Sequence, residues 1–372
     1  MTTYDLAIIH GDGIGPEVNR EAVKALQAAA SRFGFGLQTT EYPLGAQAYL
    51  ETGTLIDPGT MDSLRAHNAI MFGAMGDPRV TPGILERGLI LRMRRELRQQ
   101  VNLRPVRLYP GVPTPIRDLD PGRCDFVVVR ENTEGMYVGG GSTVHAGTRN
   151  AVALQESINT AQAISDVVDY AFRLAQARRG KLTLCHKKNV LVHAGELWQS
   201  VVNEHAAQYS DVEVDYVHAD AMCQHMPMNP ERFDVIVTDN LFGDIISDLG
   251  ATIQGGLGVA ASANLNLDGT APSMFEPVHG SAPDIAGKGW ANPAAAVLSA
   301  ALCLASLGEG KAALALENAA ASVLGELPAL AGAGMGATTV QIGDRIAERI
   351  ADETGINSQI EETSIMTAMA AI

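Results

Sequence analysis

Two carboxylates have the spacing of neighbours on one face of a helix. Residues 233–238 form an apolar, β-branched run that predicts a buried strand, and apolar residues at four-residue intervals across 241–249 predict a helix after it. Asp244 and Asp248 would then lie roughly 6 Å apart, where like charges repel. A shared divalent cation with oxygen ligands explains this pair at the end of a strand. The alternative is a solvated helix face whose first turn is capped by residue 239 or 240.

Several arginines form a second candidate site. Residues 86–107 are strongly basic in an otherwise acidic chain, and they include Arg94 and Arg104. Pro105 biases Arg104 towards an extended conformation. Arg130 follows residues 125–129, which are predicted to form a strand. Because guanidinium groups bind carboxylates in a planar, bidentate manner, these side chains predict an anionic substrate, although each could instead belong to a solvated helix face.

A lysine and an aspartate follow two further predicted strands. Residues 181–185 lead to Lys187, and residues 212–217 lead to Asp220. A lysine at the end of a strand is either a surface charge or a general base. Ligands of parallel α/β sheets bind at the carboxyl ends of strands, so both residues are candidates for the same site.

The elements that must position these residues alternate between strand and helix. Strands are predicted at 6–9, 36–42 and 69–74, and helices at 18–31 and 57–66. This alternation predicts a mostly parallel sheet covered by helices.

The glycines at 11, 13 and 15 predict a tight turn between strand and helix whose backbone can approach a ligand closely. The spacing differs from G-x-G-x-x-G, and no acidic residue follows a second strand at the usual distance, so a Rossmann fold is not predicted.

The rest of the chain contributes a projecting arm, a long loop and closing helices. Residues 143–155 predict a loop or hairpin that projects from the body, and such an exposed arm can pair with a second subunit. Residues 274–289 are rich in Gly and Pro and predict an ordered functional loop, without helix or strand. Helices are predicted at 292–307, 312–324 and 343–354, and residues 361–372 are predicted to fray.

Composition limits the function further. A chain of 372 residues with 46% hydrophobic residues predicts two domains. The net charge of -15 and the pI near 5.0 exclude nucleic acid and anionic membranes as expected partners. The four cysteines are widely spaced and favour a reducing compartment. We find no secretory signal and no apolar run of transmembrane length, so a soluble cytoplasmic protein is expected.

Five segments in order carry a resemblance to a known family: residues 11–18, 102–105, 130–135, 239–248 and 276–289. Together they resemble the isocitrate/isopropylmalate dehydrogenases, which are metal-dependent β-decarboxylating dehydrogenases of 2-hydroxy acids. The resemblance spans about residues 4–350. It implies an α/β fold of two domains with one large mixed, mostly parallel sheet. Residues 1–104 and 255–372 would bind the cofactor, and 105–254 would form the dimerisation, metal and substrate domain, with a β arm at about 138–157.

The resemblance also implies roles for the candidate residues. Tyr137 would donate a proton to carbon, and Lys187 would accept the proton of the 2-hydroxyl group. Asp220, Asp244 and Asp248 would bind Mg²⁺ or Mn²⁺. In this family the lysine and the first of these aspartates come from the partner subunit, which implies an obligatory homodimer.

Substrate and cofactor residues follow from the same resemblance. The substrate carboxylates would be bound by Arg94, Arg104 and Arg130. The cofactor-binding residues would be Glu276, His279, Gly280, Ser281, Ala282, Asp284 and Asn292. Asp284 occupies the position where NAD-using members place a carboxylate on the ribose hydroxyls, and a carboxylate would repel a 2′-phosphate. The resemblance therefore implies NAD.

The apolar residues Leu89, Ile90 and Leu91 precede Arg94, and an apolar wall suits the isopropyl group of 3-isopropylmalate. The implied reaction is oxidative decarboxylation of this acid to 2-oxoisocaproate, in leucine biosynthesis. Tartrate or D-malate dehydrogenase, or a dehydrogenase of another 3-alkylmalate, is the alternative within the family. A non-catalytic regulatory subunit is the alternative outside enzymes, but such subunits usually lose metal or acid–base residues, which are present here.

Three positions depart from the pattern of bacterial isopropylmalate enzymes. Residues 130–135 read Arg-Glu-Asn-Thr-Glu-Gly, Lys188 replaces a small residue, and Ala329 replaces a common Asp near the cofactor. We expect Lys188 to act on the neighbouring base through like-charge repulsion.

Overall fold

A single ten-stranded sheet runs through the molecule. The computed structural model describes residues 2–352 and Met369. The strands are β1 (Thr3–Gly11), β2 (Gly36–Glu41), β3 (Ala69–Ala74), β4 (Val101–Arg107), β5 (Asp125–Glu131), β6 (Gly141–Val144), β7 (Val152–Gln155), β8 (Lys181–His186), β9 (Glu213–His218), β10 (Val235–Thr238), β11 (Ala261–Leu265) and β12 (Ser273–Pro277). The helices are α1 (Gly15–Phe33), α2 (Ala46–Thr52), α3 (Pro58–Arg65), α4 (Leu91–Glu96), α5 (Ala161–Ala177), α6 (Val192–Ala206), α7 (Ala219–Met228), α8 (Asn240–Ile253), α9 (Ala294–Ser306), α10 (Gly310–Leu324) and α11 (Thr339–Ala351). A π-helical turn (Glu86–Ile90) leads directly into α4.

The sheet is mixed and mostly parallel, which confirms the predicted fold class. Its strand order is β2-β1-β3-β12-β11-β4-β5-β10-β8-β9. Neighbours are parallel at both ends of the sheet, whereas β11 and β4 make antiparallel pairings in the middle. The sheet therefore joins two parallel halves through an antiparallel centre.

The strand ends place the candidate residues along one edge of the second half. In the parallel pairings, Thr238 of β10 lies opposite both Arg130 of β5 and Cys185 of β8. His186 of β8 lies opposite His218 of β9. Because parallel strands end at a common edge, the residues that follow β5, β8, β9 and β10 emerge there together.

Alternation along β1 shows why the sheet is covered on both faces. Leu6 and Ile8 belong to the large core that includes α1 and α9, whereas Ala7 and Ile9 belong to a separate core on the other face. All four side chains are essentially fully buried. A strand buried on both faces reads as a continuous apolar run, and the sequence signal for β1 has this form.

One prediction is wrong in part. Residues 274–289 were expected to contain neither helix nor strand, but Ser273–Pro277 forms β12, which pairs with β3 and β11 in the sheet. The charged Glu276 obscured the strand signal, and the structure satisfies its carboxylate with Arg94 and Asn264. Residues 278–289 do form a loop.

The predicted hairpin is present as the antiparallel strands β6 and β7, and every residue in both strands is exposed. The segment 361–372, predicted to fray, lies outside the described residues except for Met369. Among the helices that the structure describes, none is long and apolar enough to cross a membrane.

The glycine-rich turn after β1 contacts protein backbone at close range. Gly13 has φ +58°, and a Cβ there would lie 1.9 Å from the carbonyl oxygen of Ser281. The next residue, Ile14, donates its N–H to the same oxygen at 2.8 Å. The turn was predicted to approach a ligand closely, and in the structure it approaches the backbone of the 278–289 loop.

We expect Gly13→Ala to destabilise the protein more than Gly34→Ala does. Both glycines have positive φ, but no atom lies within 4 Å of a Cβ at Gly34. The shared backbone strain is about 1–2 kcal/mol, and the clash at Gly13 should add about 1–3 kcal/mol. Urea unfolding of the two variants measures the difference. Equal losses of unfolding free energy would show that the turn does not support the loop.

Candidate active site

Helix α8 begins at a well-formed cap and carries the two aspartates on one face. The side chain of Asp239 accepts the N–H of Phe242 at 2.8 Å, so the first turn has a hydrogen-bonded N-cap. Asp244 and Asp248 follow one turn apart, and their side chains are 41% and 60% exposed. The predicted helix is confirmed, and Asp239 caps it as the alternative interpretation of a solvated helix face expected. Both carboxylates are accessible to a ligand.

Arginine and tyrosine side chains converge on Asp244. Arg130, which is 1% exposed, donates from Nη1 to one carboxylate oxygen. The hydroxyl of Tyr137 donates to the other oxygen at 2.8 Å. Nη1 of Arg104 lies 3.6 Å from Asp244 Oδ1 and 3.8 Å from Asp248 Oδ1. Five of the residues predicted from the sequence therefore meet in one place.

The two carboxylates ionise under different influences. Burial raises the pKa of Asp244, but the charges of Arg130 and Arg104 and the hydrogen bond from Tyr137 outweigh it, so its pKa falls below the usual value. Burial and then the charge of Asp244 raise the pKa of Asp248, although Arg104 opposes the shift. A cation beside Asp248 would favour its ionised form.

Polar side chains hold the guanidinium groups of Arg104 and Arg130 by hydrogen bonds. Arg104 donates from Nε to Asn102 Oδ1 and from Nη1 to Ser247 Oγ, both at 2.6 Å. Arg130 donates from Nε and Nη2 to Asn240 Oδ1 at 3.1 and 2.8 Å. Burial lowers the pKa of Arg104 to about 10, with repulsion from Arg130 adding to the effect. Both groups stay charged at neutral pH, and a buried cationic pocket fits an anionic substrate.

Some of the predicted substrate and cofactor residues line one cavity of about 140 Å³. Its lining includes Ile90, Arg94, Arg104, Glu276, His279 and Gly280. Arg94 donates to Glu276 Oε1 at 3.0 Å, and its Nε is buried without a partner among the described residues. Arg94 therefore keeps one buried donor that the described part of the chain does not satisfy.

The three apolar residues before Arg94 lie on the π-helical turn and the start of α4, and their side chains lie in different surroundings. Ile90 lines the 140 Å³ cavity, and Leu91 lines a neighbouring cavity of about 390 Å³ together with Tyr137. Leu89 is fully buried in the core under β1. Ile90 and Leu91 therefore line two separate cavities, and Leu89 lines neither of them.

The loop after β12 carries the remaining candidates. Burial lowers the pKa of His279, which keeps the imidazole neutral, and its Nε2 is buried without a partner in the part of the chain that the structure describes. Ser281 is buried, Asp284 is exposed, and Ala282 has φ +37°. Asn292 is buried and donates to the carbonyl oxygen of Leu330 at 3.2 Å.

Lys187 and Asp220 pair with each other. Lys187 Nζ donates to Asp220 Oδ1 at 2.6 Å, and this hydrogen bond lowers the pKa of the exposed carboxyl. Within the described part of one chain, no group of three or more His, Cys, Asp or Glu side chains is placed to hold a metal ion. A single chain thus brings Asp244 and Asp248 together and leaves Asp220 with the lysine.

Sequence reasoning missed several supporting residues. Glu86, on the π-helical turn, lines both cavities, and its carboxylate accepts the N–H of Gly83 at 2.8 Å. Asn240 and Ser247 hold the arginines. Both lie at helical spacing from Asp244, so a search for polar residues on that face of α8 would have found them. Glu86 gave no comparable periodic signal.

Comparison with known proteins agrees with this fold. The family model for isocitrate/isopropylmalate dehydrogenase matches residues 5–346. The chain belongs to the isocitrate/isopropylmalate dehydrogenase family.

Curated relatives within this family carry a more specific name. The 3-isopropylmalate dehydrogenase of Thermobifida fusca is 53% identical over 352 residues, covering 94% of this chain and 99% of that protein. The 3-isopropylmalate dehydrogenase of Corynebacterium kroppenstedtii is 56% identical over 315 residues, covering 84% of this chain and 92% of that protein.

Solved structures show the same architecture. The crystal structure of isocitrate dehydrogenase from Methylococcus capsulatus has a TM-score of 0.85 at 36% identity and covers 94% of this chain and 100% of that chain. The TT0538 protein from Thermus thermophilus has a TM-score of 0.84 at 32% identity, over 97% of this chain and 70% of that chain.

Close packing of α8 against Arg130 makes a specific prediction about activity. A Cβ at Gly243 would lie 2.4 Å from Arg130 Cγ, so Gly243→Ala should displace the guanidinium group. We expect kcat/KM for the best 2-hydroxy acid substrate to fall about 100-fold, because small displacements of substrate-binding groups are costly.

Gly250→Ala is the matched control on the same helix. Its Cβ would lie 2.6 Å from Cγ2 of Val106, away from the arginine. This variant should lose about 1–3 kcal/mol of stability and keep its kcat/KM at a temperature where it is folded. Similar kinetic losses in both variants would contradict the assignment of Arg130.

Proposed function

We propose that the protein catalyses the NAD-dependent oxidative decarboxylation of 3-isopropylmalate to 2-oxoisocaproate, a step of leucine biosynthesis. The observation that carries the proposal is the 140 Å³ cavity, where the buried cations Arg94 and Arg104 face the same space as the apolar side chain of Ile90. A malate with an alkyl substituent offers both complementary groups. The name shared by relatives at 53–56% identity supports the same substrate.

The arginines would bind the two carboxylates of the substrate. Arg94 has an unpartnered Nε, and Arg104 and Arg130 are held as rigid forks by Asn102, Ser247 and Asn240. Fixed forks lose little conformational freedom when a carboxylate binds.

Asp220, Asp244 and Asp248 would hold Mg²⁺ or Mn²⁺. The residues present fit such an ion, since all supply carboxylate oxygens and Asp244 and Asp248 present theirs from one exposed helix face. When bound, the ion would polarise the 2-oxygen of the substrate and favour the loss of its proton.

Lys187 and Tyr137 would move the protons. Lys187 would accept the proton of the 2-hydroxyl group, and Tyr137 would protonate the carbon from which carbon dioxide has left. Burial and then the charge of Asp244 raise the pKa of Tyr137, so the phenol keeps its proton at neutral pH and can donate it.

The proposed site spans two copies of the chain. Lys187 and Asp220 are paired with each other and do not join the Asp244 cluster within one chain. A homodimer in which each chain supplies this pair to its partner's α8 would complete both sites. The exposed Val144, Val152 and Leu154 of the hairpin support such an assembly, because they would be buried by a partner arm.

The cofactor would bind beside the same cavity. His279, with its unpartnered Nε2, and Gly280 line the cavity, and the loop continues through Ser281 and Ala282 to Asp284. NAD would accept the hydride of the substrate, and the carboxylate of Asp284 would bind its ribose hydroxyls while repelling the phosphate of NADP. Glu276 and Asn292 complete the proposed cofactor residues.

The proposed domains meet at the antiparallel centre of the sheet. Residues 1–104 and 255–372 would bind the cofactor, and 105–254 would carry the dimer interface and the metal and substrate residues. The strand order supports this division, since β1, β2, β3, β11 and β12 lie on one side of β4 and β5, β8, β9 and β10 on the other. We place the enzyme in the cytoplasm, in keeping with four free thiols.

A substrate panel tests the proposal. NADH formation should be fastest with 3-isopropylmalate, compared with D-malate, tartrate, isocitrate and other 3-alkylmalates, and it should require Mg²⁺ or Mn²⁺. Replacing NAD by NADP should lower kcat/KM by about 100-fold or more, because a buried or close charge repulsion costs several kcal/mol. Turnover of tartrate or D-malate without turnover of 3-isopropylmalate would assign the enzyme to that alternative.

Subunit mixing tests the shared site. Lys187→Met and Asp244→Asn should each abolish turnover, since one removes the base and the other a metal ligand. After the two inactive proteins are unfolded and refolded together, about half of the dimers are mixed, and each mixed dimer holds one intact site. Activity should return to about a quarter of the wild-type value. No recovery, with mixed dimers verified by mass, would show that each site lies within one chain.

A further inference from the structure

The hydroxyl group of Tyr216 bonds to both neighbours of Lys187 in the sequence. Tyr216 lies on the edge strand β9 and donates its O–H to the carbonyl oxygen of His186 at 2.8 Å. It accepts the backbone N–H of Lys188 at 3.2 Å. One side-chain atom of β9 therefore fixes the peptide groups immediately before and after Lys187.

A third hydrogen bond extends this arrangement towards Asp220. Nδ1 of His218 lies 2.9 Å from the Tyr216 hydroxyl oxygen. A phenol has one proton, and here it is directed to His186, so His218 must donate from Nδ1. His218 stands two residues before Asp220, which accepts the hydrogen bond from Lys187 Nζ. The same oxygen thus connects the strand ends that carry both residues.

Lys188 is held by the ring of the same tyrosine. Its Nζ lies 4.0 Å from the ring centroid of Tyr216 and donates to Gln199 Oε1 at 3.0 Å. The backbone of Lys188 packs against Gly195 of α6, where a Cβ would lie 2.4 Å from Lys188 Cβ. The ammonium group of Lys188 therefore contacts the Tyr216 ring and the Gln199 amide, whereas that of Lys187 bonds to Asp220.

We propose that Tyr216 is a positioning residue for Lys187: its hydroxyl fixes the backbone on both sides of the lysine and so directs the amine towards Asp220 and the substrate. The proposal rests on the proposed role of Lys187 as the base. A lysine side chain has high rotational freedom, and a general base must lie within hydrogen-bond reach of the proton that it accepts. Burial raises the pKa of Tyr216, so the phenol keeps the proton that it donates to His186.

Tyr216→Phe tests the role of the hydroxyl, because it keeps the ring beneath Lys188. We expect kcat to fall about 10-fold while KM stays within about twofold of the wild-type value, since the base is misplaced and the carboxylate-binding arginines are untouched. The assay uses the 2-hydroxy acid that the wild type oxidises fastest. The thermal midpoint of unfolding is measured on the same preparations.

Tyr209→Phe is the matched control. Its hydroxyl also makes a side-chain hydrogen bond, to Asp169 Oδ1 at 2.6 Å, and it lies on the outer side of the same half of the sheet, against α5. We expect a comparable fall in thermal midpoint and an unchanged kcat. If kcat of Tyr216→Phe stays within about twofold of that of Tyr209→Phe, the hydroxyl has a structural role only and the inference is overturned.

A second variant, on α6, displaces the backbone of Lys188 without changing Tyr216. Gly195→Ala would push against Lys188 and should lower kcat with the same small change in KM. If Tyr216→Phe does not fold, this variant decides, and an unchanged kcat overturns the inference. If Lys187 is not the base, Lys187→Met will keep its turnover, and this result distinguishes failure of the proposed function from failure of the inference about Tyr216.

If the wild type oxidises a 2-hydroxy acid other than 3-isopropylmalate, the same variants are assayed with that acid.

Discussion

The structure depends on keeping buried guanidinium groups charged beside helix α8. Arg104 and Arg130 are almost fully buried, and each is stabilised by a carboxylate on α8 and by neutral acceptors behind it. Removing a charge from water is costly unless it is paired and fully hydrogen-bonded. Helix α8 supports these groups in three ways: Asp239 caps its first turn, Gly243 leaves room for Arg130, and Asn240 and Ser247 accept hydrogen bonds from the arginines. Arg94 is buried nearby and is paired with Glu276 of β12.

The antiparallel centre of the sheet brings the two sets of site residues together. β4 contributes Arg104 and pairs with β5, which contributes Arg130, whereas β11 links β4 to β12 and its Glu276. Side chains of Asn102, Ser262 and Asn264 bond to one another inside this region. A parallel connection would have placed these strand ends differently, so the topology itself sets the distance between Arg104 and the loop that follows β12.

Much of the fold could be predicted because most strands are buried on both faces. β1, β3, β5, β8 and β10 read as apolar runs, and the helices between them show clear periodicity. β4 and β11 were not predicted, since Asn102, Ser262 and Asn264 interrupt the apolar pattern and Pro105 argues against a central strand. The structure resolves this conflict: β11 pairs only with Val101–Leu103, so Pro105 lies beyond the end of that pairing and needs no N–H there.

The candidate site was predictable to a different degree. Asp244 and Asp248 could be assigned from helix spacing, and the arginines from their concentration in an acidic chain. The roles of Tyr137, Lys187 and Asp220 came only through the family, because strand and helix patterns place a residue in the fold but do not define its chemical role. Supporting groups such as Ser247 and Tyr216 act through contacts that depend on the folded backbone. The partition of Ile90 and Leu91 between two cavities likewise follows from the π-helical turn, which sequence periodicity did not reveal.

The uneven pairing around β4 has a mechanical consequence. β4 pairs with β5 through seven residues but with β11 through three, Ala263 with Leu103, Asn264 with Asn102 and Leu265 with Val101. The ladder to β5 is more than twice as long as the ladder to β11, so β4 is held more firmly to β5 than to β11. Shear between β4 and β11 would break three residue pairs, and the same shear between β4 and β5 would break seven.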